Sequence, residues 1–151
     1  LENLKKMLAA HPFLAGLQPA QIDMLAQCAT AVQFRPHEEI LREGEEARHL
    51  YLLRHGRVAV ELLAHRRGAI TVQTLGEGEV LGWSWLVEPQ CWHFSARAVE
   101  LTRAVALEVP CVLKLCESHP EVGYQIMKRM ANVLAKQIRS LKMQLVDFYG
   151  A

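Results

Sequence analysis

Hydrophobic residues near the N-terminus recur at helical spacing. Leu1, Leu4 and Leu8 share one face, as residues three and four apart do on a helix. His11-Pro12 closes that run, because a residue before proline is driven out of the α region. Gln18-Pro19 opens a second helix, since proline suits the first helical turn. Ile22, Leu25 and Ala29 repeat the spacing there.

From about residue 31 to about residue 109 the period falls to two. Val32 and Phe34 alternate with polar neighbours, and Leu50 and Leu52, Val58 and Val60, and Ile70 and Val72 keep the same spacing. Phe94, Ala96 and Ala98 continue it, then Val105, Leu107 and Val109. Short strands punctuated by Gly44, Gly56, Gly68, Gly76, Gly78 and Gly82 predict an antiparallel sandwich or barrel. His55-Gly56 and Arg67-Gly68 read as hairpin tips, where glycine accepts a positive φ.

The helical period returns at Pro110. A short helix is predicted through Cys116, and Ser118, with Glu121 three residues on, is the expected N-cap of the next. That last helix, about Glu121 to Phe148, would span roughly 40 Å at 1.5 Å per residue. Met127, Met130, Leu134, Leu141, Leu145 and Phe148 approximate a heptad seam, with Gln137 and Ile138 adjoining its gap. Lys128, Arg129, Lys136, Arg139 and Lys142 mark the other faces. One domain of this size cannot cover so long an apolar stripe, which left in water would be a large exposed patch. A homodimer is therefore expected, paired in parallel through Met127, Met130, Leu134, Leu141 and Leu145.

The chain has 151 residues, about one domain's worth. The expected division is helices to about residue 30, strands over about 31–109 and helices over about 110–148. With 51% hydrophobic and 22% charged residues, disorder is excluded. A formal charge of +1 carries no signature of a dedicated nucleic-acid or membrane binder. No apolar run reaches the roughly 18 residues of a membrane helix, and no signal peptide is expected. Cys28, Cys91, Cys111 and Cys116 form no CxxC pair, so free thiols in a reducing cytoplasm are expected. The first residue is Leu1 rather than Met, as in a processed chain or a piece of a longer one.

Helices, then about eight short strands, then a long terminal helix: this order, with four segments of sequence, resembles the cyclic-nucleotide-binding domain of catabolite-activator-type regulators and of the protein kinase A regulatory subunit. The segments are Pro12-Phe13-Leu14-x-Gly16-Leu17, Phe34-x-Pro36-x-Glu38-x-Ile40-x-x-Glu43-Gly44-Glu45, Leu50-Tyr51-Leu52-Leu53-x-x-Gly56-x-Val58-x-Val60, and Leu75-Gly76-x-Gly78-Glu79-Val80-Leu81-Gly82. The resemblance covers nearly the whole chain. It implies an α+β fold, with a jelly-roll-like antiparallel β-roll flanked by N-terminal helices and a long C-terminal helix that often forms a dimer seam.

It also implies a ligand cassette resembling Phe-Gly-Glu-Leu-Ala-Leu, a few residues, then Arg-Ala-Ala. Here the segment reads Leu81-Gly82-Trp83-Ser84-Trp85-Leu86-Val87, then Glu88 to Cys91, then Trp92-His93-Phe94-Ser95-Ala96-Arg97-Ala98. Gly82 matches, and the turn after it offers backbone N–H groups to an anion. Trp83 stands where the family's Glu binds the ribose hydroxyl, and Trp92 where its Arg pairs the cyclic phosphate. Indole only donates a hydrogen bond, and it lacks the permanent charge and planar fork of guanidinium. At roughly 1.5–3 kcal/mol per charged hydrogen bond, losing both anchors weakens cyclic-nucleotide binding by about 3–6 kcal/mol. The ligand is then cyclic AMP or cyclic GMP held weakly, or another small anion.

Two replacements are candidates nearby. Ser84 offers a hydroxyl and an N–H. Arg97 is the nearest cation, but strand alternation puts it with His93 and Ser95, opposite Trp92, Phe94, Ala96 and Ala98. Trp83, Trp85 and Trp92 either stack on a planar ligand or fill the pocket of a ligand-free domain. Gly82, Trp83, Ser84, Trp85, Leu86, Trp92 and Arg97 are thus the candidate ligand residues.

None of the seven histidines falls in HExxH or a Cys/His zinc spacing. There is no P-loop, no GxSxG elbow and no carboxylate pair with an evident task, so catalysis is not expected. Three readings stand: a small-ligand sensor or regulatory module, a structural or protein-interaction domain, and the sensor part of a transcription regulator. No helix-turn-helix follows the long helix, so this chain alone is not expected to read a specific operator.

Overall fold

Two four-stranded antiparallel sheets face each other to form the roll, with strand orders β1-β8-β3-β6 and β2-β7-β4-β5. The strands are β1 (Ala29–Phe34), β2 (Glu39–Leu41), β3 (His49–His55), β4 (Val58–Ala64), β5 (Gly68–Leu75), β6 (Val80–Leu81), β7 (Ser95–Ala98) and β8 (Thr102–Glu108). Helices α1 (Glu2–Ala10) and α2 (Pro19–Ala26) precede them; α3 (Val109–Ser118) and α4 (Pro120–Tyr149) follow. This computed structural model describes residues 1–150. The expected α+β fold, an antiparallel β-roll between helices, is the one observed.

Local sequence explains most boundaries. Pro19 sits at the start of α2, and the Gln18 backbone N–H donates to Gln21 Oε1 at 3.0 Å, capping it. Gly56 turns the β3–β4 hairpin at φ 96°, where a Cβ would lie 2.5 Å from Leu101 O. No side chain fits there.

Two boundaries differ from expectation. Ser118 ends α3 and is not a cap; His119 is the N-cap of α4. Pro120 occupies the first helical position, which fixes the cap one residue before it. Glu121 accordingly approaches His119 Nδ1 at 3.6 Å instead of closing a capping box.

Strands β3 and β8 are buried on both faces: Leu50, Leu52 and Leu53 in one, Ala104 through Leu107 in the other. Their inner side chains fill the roll, and α1 and α3 cover β8 from outside. His11 ties α1 to the roll. Its Nε2 lies 2.9 Å from Leu53 O, and its Nδ1 accepts from Phe13 N–H at 3.2 Å. The ring therefore holds its proton on Nε2 and is neutral, and burial pushes its pKa below the ordinary value.

The four cysteines are not all thiols. Cys28 and Cys111 form a disulfide between the start of β1 and the first turn of α3, 83 residues apart in sequence. Cys91 and Cys116 are free. Spacing rules see only local pairs, and this pair is made by the β1–β8 ladder, which sets Glu108 N–H on Cys28 O just before the turn of α3 that carries Cys111. No helix among the described residues is long and apolar enough to cross a membrane.

Helix α4 has three working faces. Val122, Ile126 and Met130 are buried in the core. Met130 thus leaves the expected seam, which Tyr124, Ala131 and Ile138 complete instead. The run Tyr124, Met127, Ala131, Leu134, Ile138, Leu141, Leu145, Phe148 steps alternately by three and four, the strict heptad spacing. Tyr124 (63% exposed), Ile138 (64%), Leu145 (58%) and Phe148 (61%) lie open on it. The third face looks into a cavity.

Candidate functional site

A cavity of about 430 Å³ lies between the roll and α4. Its floor is largely apolar: Leu41 of β2, Val60 of β4, Leu75 of β5, Val80 and Leu81 of β6, with Phe94 and Trp92 beyond them and Gln73 of β5 as the polar exception. Its roof is polar: Gln125, Lys128, Arg129, Asn132, Lys136 and Gln137, all from α4. These six recur three and four residues apart, so one helical face supplies them. Pro12 and Phe13 close one end, and Glu79 is the lone carboxylate among the lining residues.

The cassette contributes Gly82, Trp83, Ser84 and Trp92 to the lining, but not Trp85, Leu86 or Arg97. Trp92 is held from both sides of its backbone. Its N–H donates to Glu45 O at 2.8 Å, and its carbonyl accepts from Gly44 N–H at 2.9 Å. This pins the indole, 7% exposed, over Gly82. The ring atoms Cη2 and Cζ3 lie 2.9 and 3.0 Å from where a Gly82 Cβ would stand. Gly82 has φ +105°, a conformation that also favours glycine.

The turn after Gly82 is engaged internally. Ser84 is buried; its Oγ accepts from His93 N–H at 3.2 Å and pairs with His93 Nδ1 at 2.9 Å. The His93 ring stacks on Trp83, with centroids 5.1 Å apart and planes at 14°. Trp85 is fully buried, and its Nε1–H donates to Gly82 O at 3.3 Å. It is a core residue that fixes the turn from below.

Arg97 projects from the outer face of β7, as alternation requires. Its Nη1 donates to His37 O at 2.9 Å, and its guanidinium lies 3.7 Å from Glu61 and 4.0 Å from Glu39. Glu39 and Ala59 are its partners on the neighbouring strands, so the charge serves the outside of the sheet.

The cations at the cavity belong to α4. Arg129 is held by the Gln125 side chain and by Ala15 O. Lys128 and Lys136 enter no ion pair among the described residues. Gln137 is 7% exposed, and its Nε2 has no hydrogen-bond partner. Sequence reading placed Lys128, Arg129 and Lys136 on faces turned from the seam and Gln137 beside the gap in it, and gave no sign that one helix face roofs the site.

The profile of the cyclic nucleotide-binding domain matches residues 31–119. Solved structures share the fold. A cyclic nucleotide-binding domain from Methylobacillus flagellatus KT is 17% identical, with a TM-score of 0.79 over 97% of this chain and 82% of that one. The N-terminal domain of a transcriptional regulator from Streptomyces coelicolor A3(2) is 20% identical, with a TM-score of 0.69 over 89% and 94%. A mutant regulatory subunit of a cAMP-independent protein kinase A from Trypanosoma brucei, bound to cAMP in its A site, is 24% identical, with a TM-score of 0.64 over 84% and 50%. No curated protein matches the chain.

Proposed function

The chain belongs to the cyclic nucleotide-binding domain family, and on that footing we propose that it is a regulatory module sensing a small ligand between the roll and α4. The observation that carries this reading is the cavity itself. The three cassette tryptophans do not fill it: Trp85 is in the core, Trp92 lies over Gly82 and Trp83 stacks on His93. A space of about 430 Å³ with an apolar floor and a few polar groups has the make-up of a small-molecule site. This favours a ligand sensor over a ligand-free structural domain.

Cyclic nucleotides are bound weakly in this reading. Trp92 occupies the approach to Gly82, and Ser84 Oγ is already bonded to His93. Neither residue presents a charge to a cyclic phosphate.

Readout runs through α4. At about 100° per residue, the average direction of the six cavity-lining residues and that of the eight residues of the apolar stripe lie about 180° apart. A ligand drawn against one face moves or steadies a rod whose other face is the heptad stripe. Such a ligand shifts the balance of α4 arrangements only by the difference in its affinity for them. The occupant proposed for the stripe is a second copy of the chain, paired in parallel, because strict three-four alternation is the geometry of helix on helix. Each buried leucine or isoleucine there contributes roughly 1.5–3 kcal/mol.

Trp83 and Trp92 report on occupancy. Millimolar cyclic AMP, cyclic GMP and simple organic anions are to be titrated against tryptophan emission, with hydrogen exchange followed along residues 125–145. At least one is expected to change the emission and slow exchange in α4. Emission and exchange indifferent to all of them would return the chain to the structural-domain reading.

A further inference from the structure

We infer that the Cys28–Cys111 disulfide is a reversible redox latch on the seat of α4. Closed, it holds α3 and α4 on the roll in the position that roofs the cavity. Opened by a thiol reductant, it lets the two helices shift together. The inference does not depend on what the cavity binds.

Three observations carry it. First, the bond sits at the joint between the roll and the C-terminal helices. Cys28 directly precedes β1, and Cys111 lies in the first turn of α3. Beside them the chain leaves the roll through Glu108 and Val109, whose N–H groups donate to Cys28 O at 3.0 Å and to Arg48 O at 2.8 Å. One run of backbone and one disulfide therefore tie α3 covalently to the roll at this point. With the disulfide open the backbone is the single covalent tie there, and the ends of elements are where hinges form.

Second, a shift at the joint reaches the cavity. Gly123 of α4 lies so close to α3 that a Cβ on it would stand 3.0 Å from Cys116 O and 3.1 Å from Cys116 Cβ. Helices meshed this tightly pass displacement from one to the other. Gln125 and Arg129, two and six residues beyond Gly123, belong to the cavity roof.

Third, the chain keeps thiols as well as the bond: Cys91 and Cys116 are free. Where thiols persist, a disulfide is usually transient and redox-sensing. Cys28 is buried and Cys111 half-buried, so Cys111 is the open side of the bond. Burial, and after it Glu117, push the Cys116 thiol up, which keeps it protonated and out of the exchange.

The step balances with glutathione as reductant. A glutathione thiolate attacks Cys111 Sγ, a mixed disulfide forms, and Cys28 leaves as a thiolate. A second glutathione thiolate attacks the glutathione sulfur of the mixed disulfide and releases Cys111. The products are oxidised glutathione and two cysteine thiols, which take up the two protons that glutathione gave. Oxidised glutathione in excess runs the same steps backward.

The test holds the wild-type chain in millimolar reduced glutathione and then returns it to oxidised glutathione. Thiols are counted and amide NMR spectra recorded in each state. Four thiols are expected in the folded reduced chain and two after reoxidation. Amide shifts are expected to change along α3 and along α4 over residues 122–137, well past the neighbours of the two cysteines. Acrylamide quenching of the tryptophans is expected to rise, because Trp83 and Trp92 line the cavity under α4. Cys28→Ala with Cys111→Ala should give the reduced spectrum in either buffer, and Cys91→Ser with Cys116→Ala should keep the full response. A disulfide that yields to glutathione only once the chain unfolds, or a reduced chain that loses its fold, would mark a plain structural staple and overturn the inference. Shift changes confined to the neighbours of Cys28 and Cys111, or a response lost in the Cys91 and Cys116 variant, would overturn it as well.

Discussion

The indole of Trp92 lies directly over Gly82, its Cζ3 3.0 Å from where a Cβ on that glycine would stand. Any larger residue at 82 must displace a ring whose backbone is bonded to Gly44 and Glu45. Gly82→Ala also places a side chain at φ +105°. Overpacking and backbone strain each cost roughly 1–3 kcal/mol. The variant is expected to lose at least about 2 kcal/mol in urea unfolding.

The sequence resemblance implies that Trp83 and Trp92 stand where the family has Glu and Arg, and on that alignment restoring those residue types reverses the loss of ribose and phosphate anchors. Trp83→Glu with Trp92→Arg is expected to raise cyclic AMP affinity by roughly two to four decades, the equivalent of about 3–6 kcal/mol. Calorimetry on the double variant, with unfolding measured beside it, checks this. An affinity unchanged in a folded double variant would mean that the cavity roof, not the cassette, sets nucleotide binding.

His11 makes stability depend on pH. Burial lowers its pKa in the folded protein below the unfolded value of 6.5. The unfolded chain therefore binds the proton first as pH falls. The contribution is fully present above about pH 6.5 and is lost as pH drops through the folded value. Denaturation midpoints at pH 7.5 and pH 5 should differ, and the difference should shrink in His11→Gln.

The pairing of Cys28 with Cys111 leaves two titratable thiols, Cys91 and Cys116, in the unfolded but unreduced protein. Closing a span of 83 residues stabilises by about 4.5 kcal/mol on the chain-entropy estimate. Reduction, or Cys28→Ser, is expected to lower the unfolding midpoint accordingly. Four thiols in that count would restore the expectation of a fully reduced chain.

The proposed pairing of α4 has its own check. Ile138→Glu with Leu145→Glu puts charges at two open positions of the stripe without touching the cavity face. Sedimentation at about 100 µM should show a dimer for the wild type and a monomer for the variant. A wild type that stays monomeric would place the association weaker than about −5 kcal/mol.

Much of this was readable in the sequence, for physical reasons that also mark where reading stopped. Period-two spacing and glycine punctuation gave the roll, and alternation put Arg97 opposite Trp92, where it lies. Met130 was misplaced because a step of three and a step of four from Met127 are both helical; only its burial in the core shows that Met130 leaves the stripe and Ala131 belongs to it. Lys136 was read on a face away from the seam and Gln137 beside the gap in it, because the rotation of α4 against the roll is a tertiary fact. Cys28 and Cys111 meet only because β8 pairs antiparallel with β1, which brings the start of α3 to the residue before β1.

The most direct measurement is calorimetric titration of the wild-type chain with cyclic AMP. With Trp92 over Gly82 and no charged cassette residue lining the cavity, the dissociation constant is expected to be weaker than about 10 µM, or binding to be undetectable. Submicromolar binding, lost in Ser84→Ala or Arg97→Ala, would contradict the account and return the ligand to the cassette.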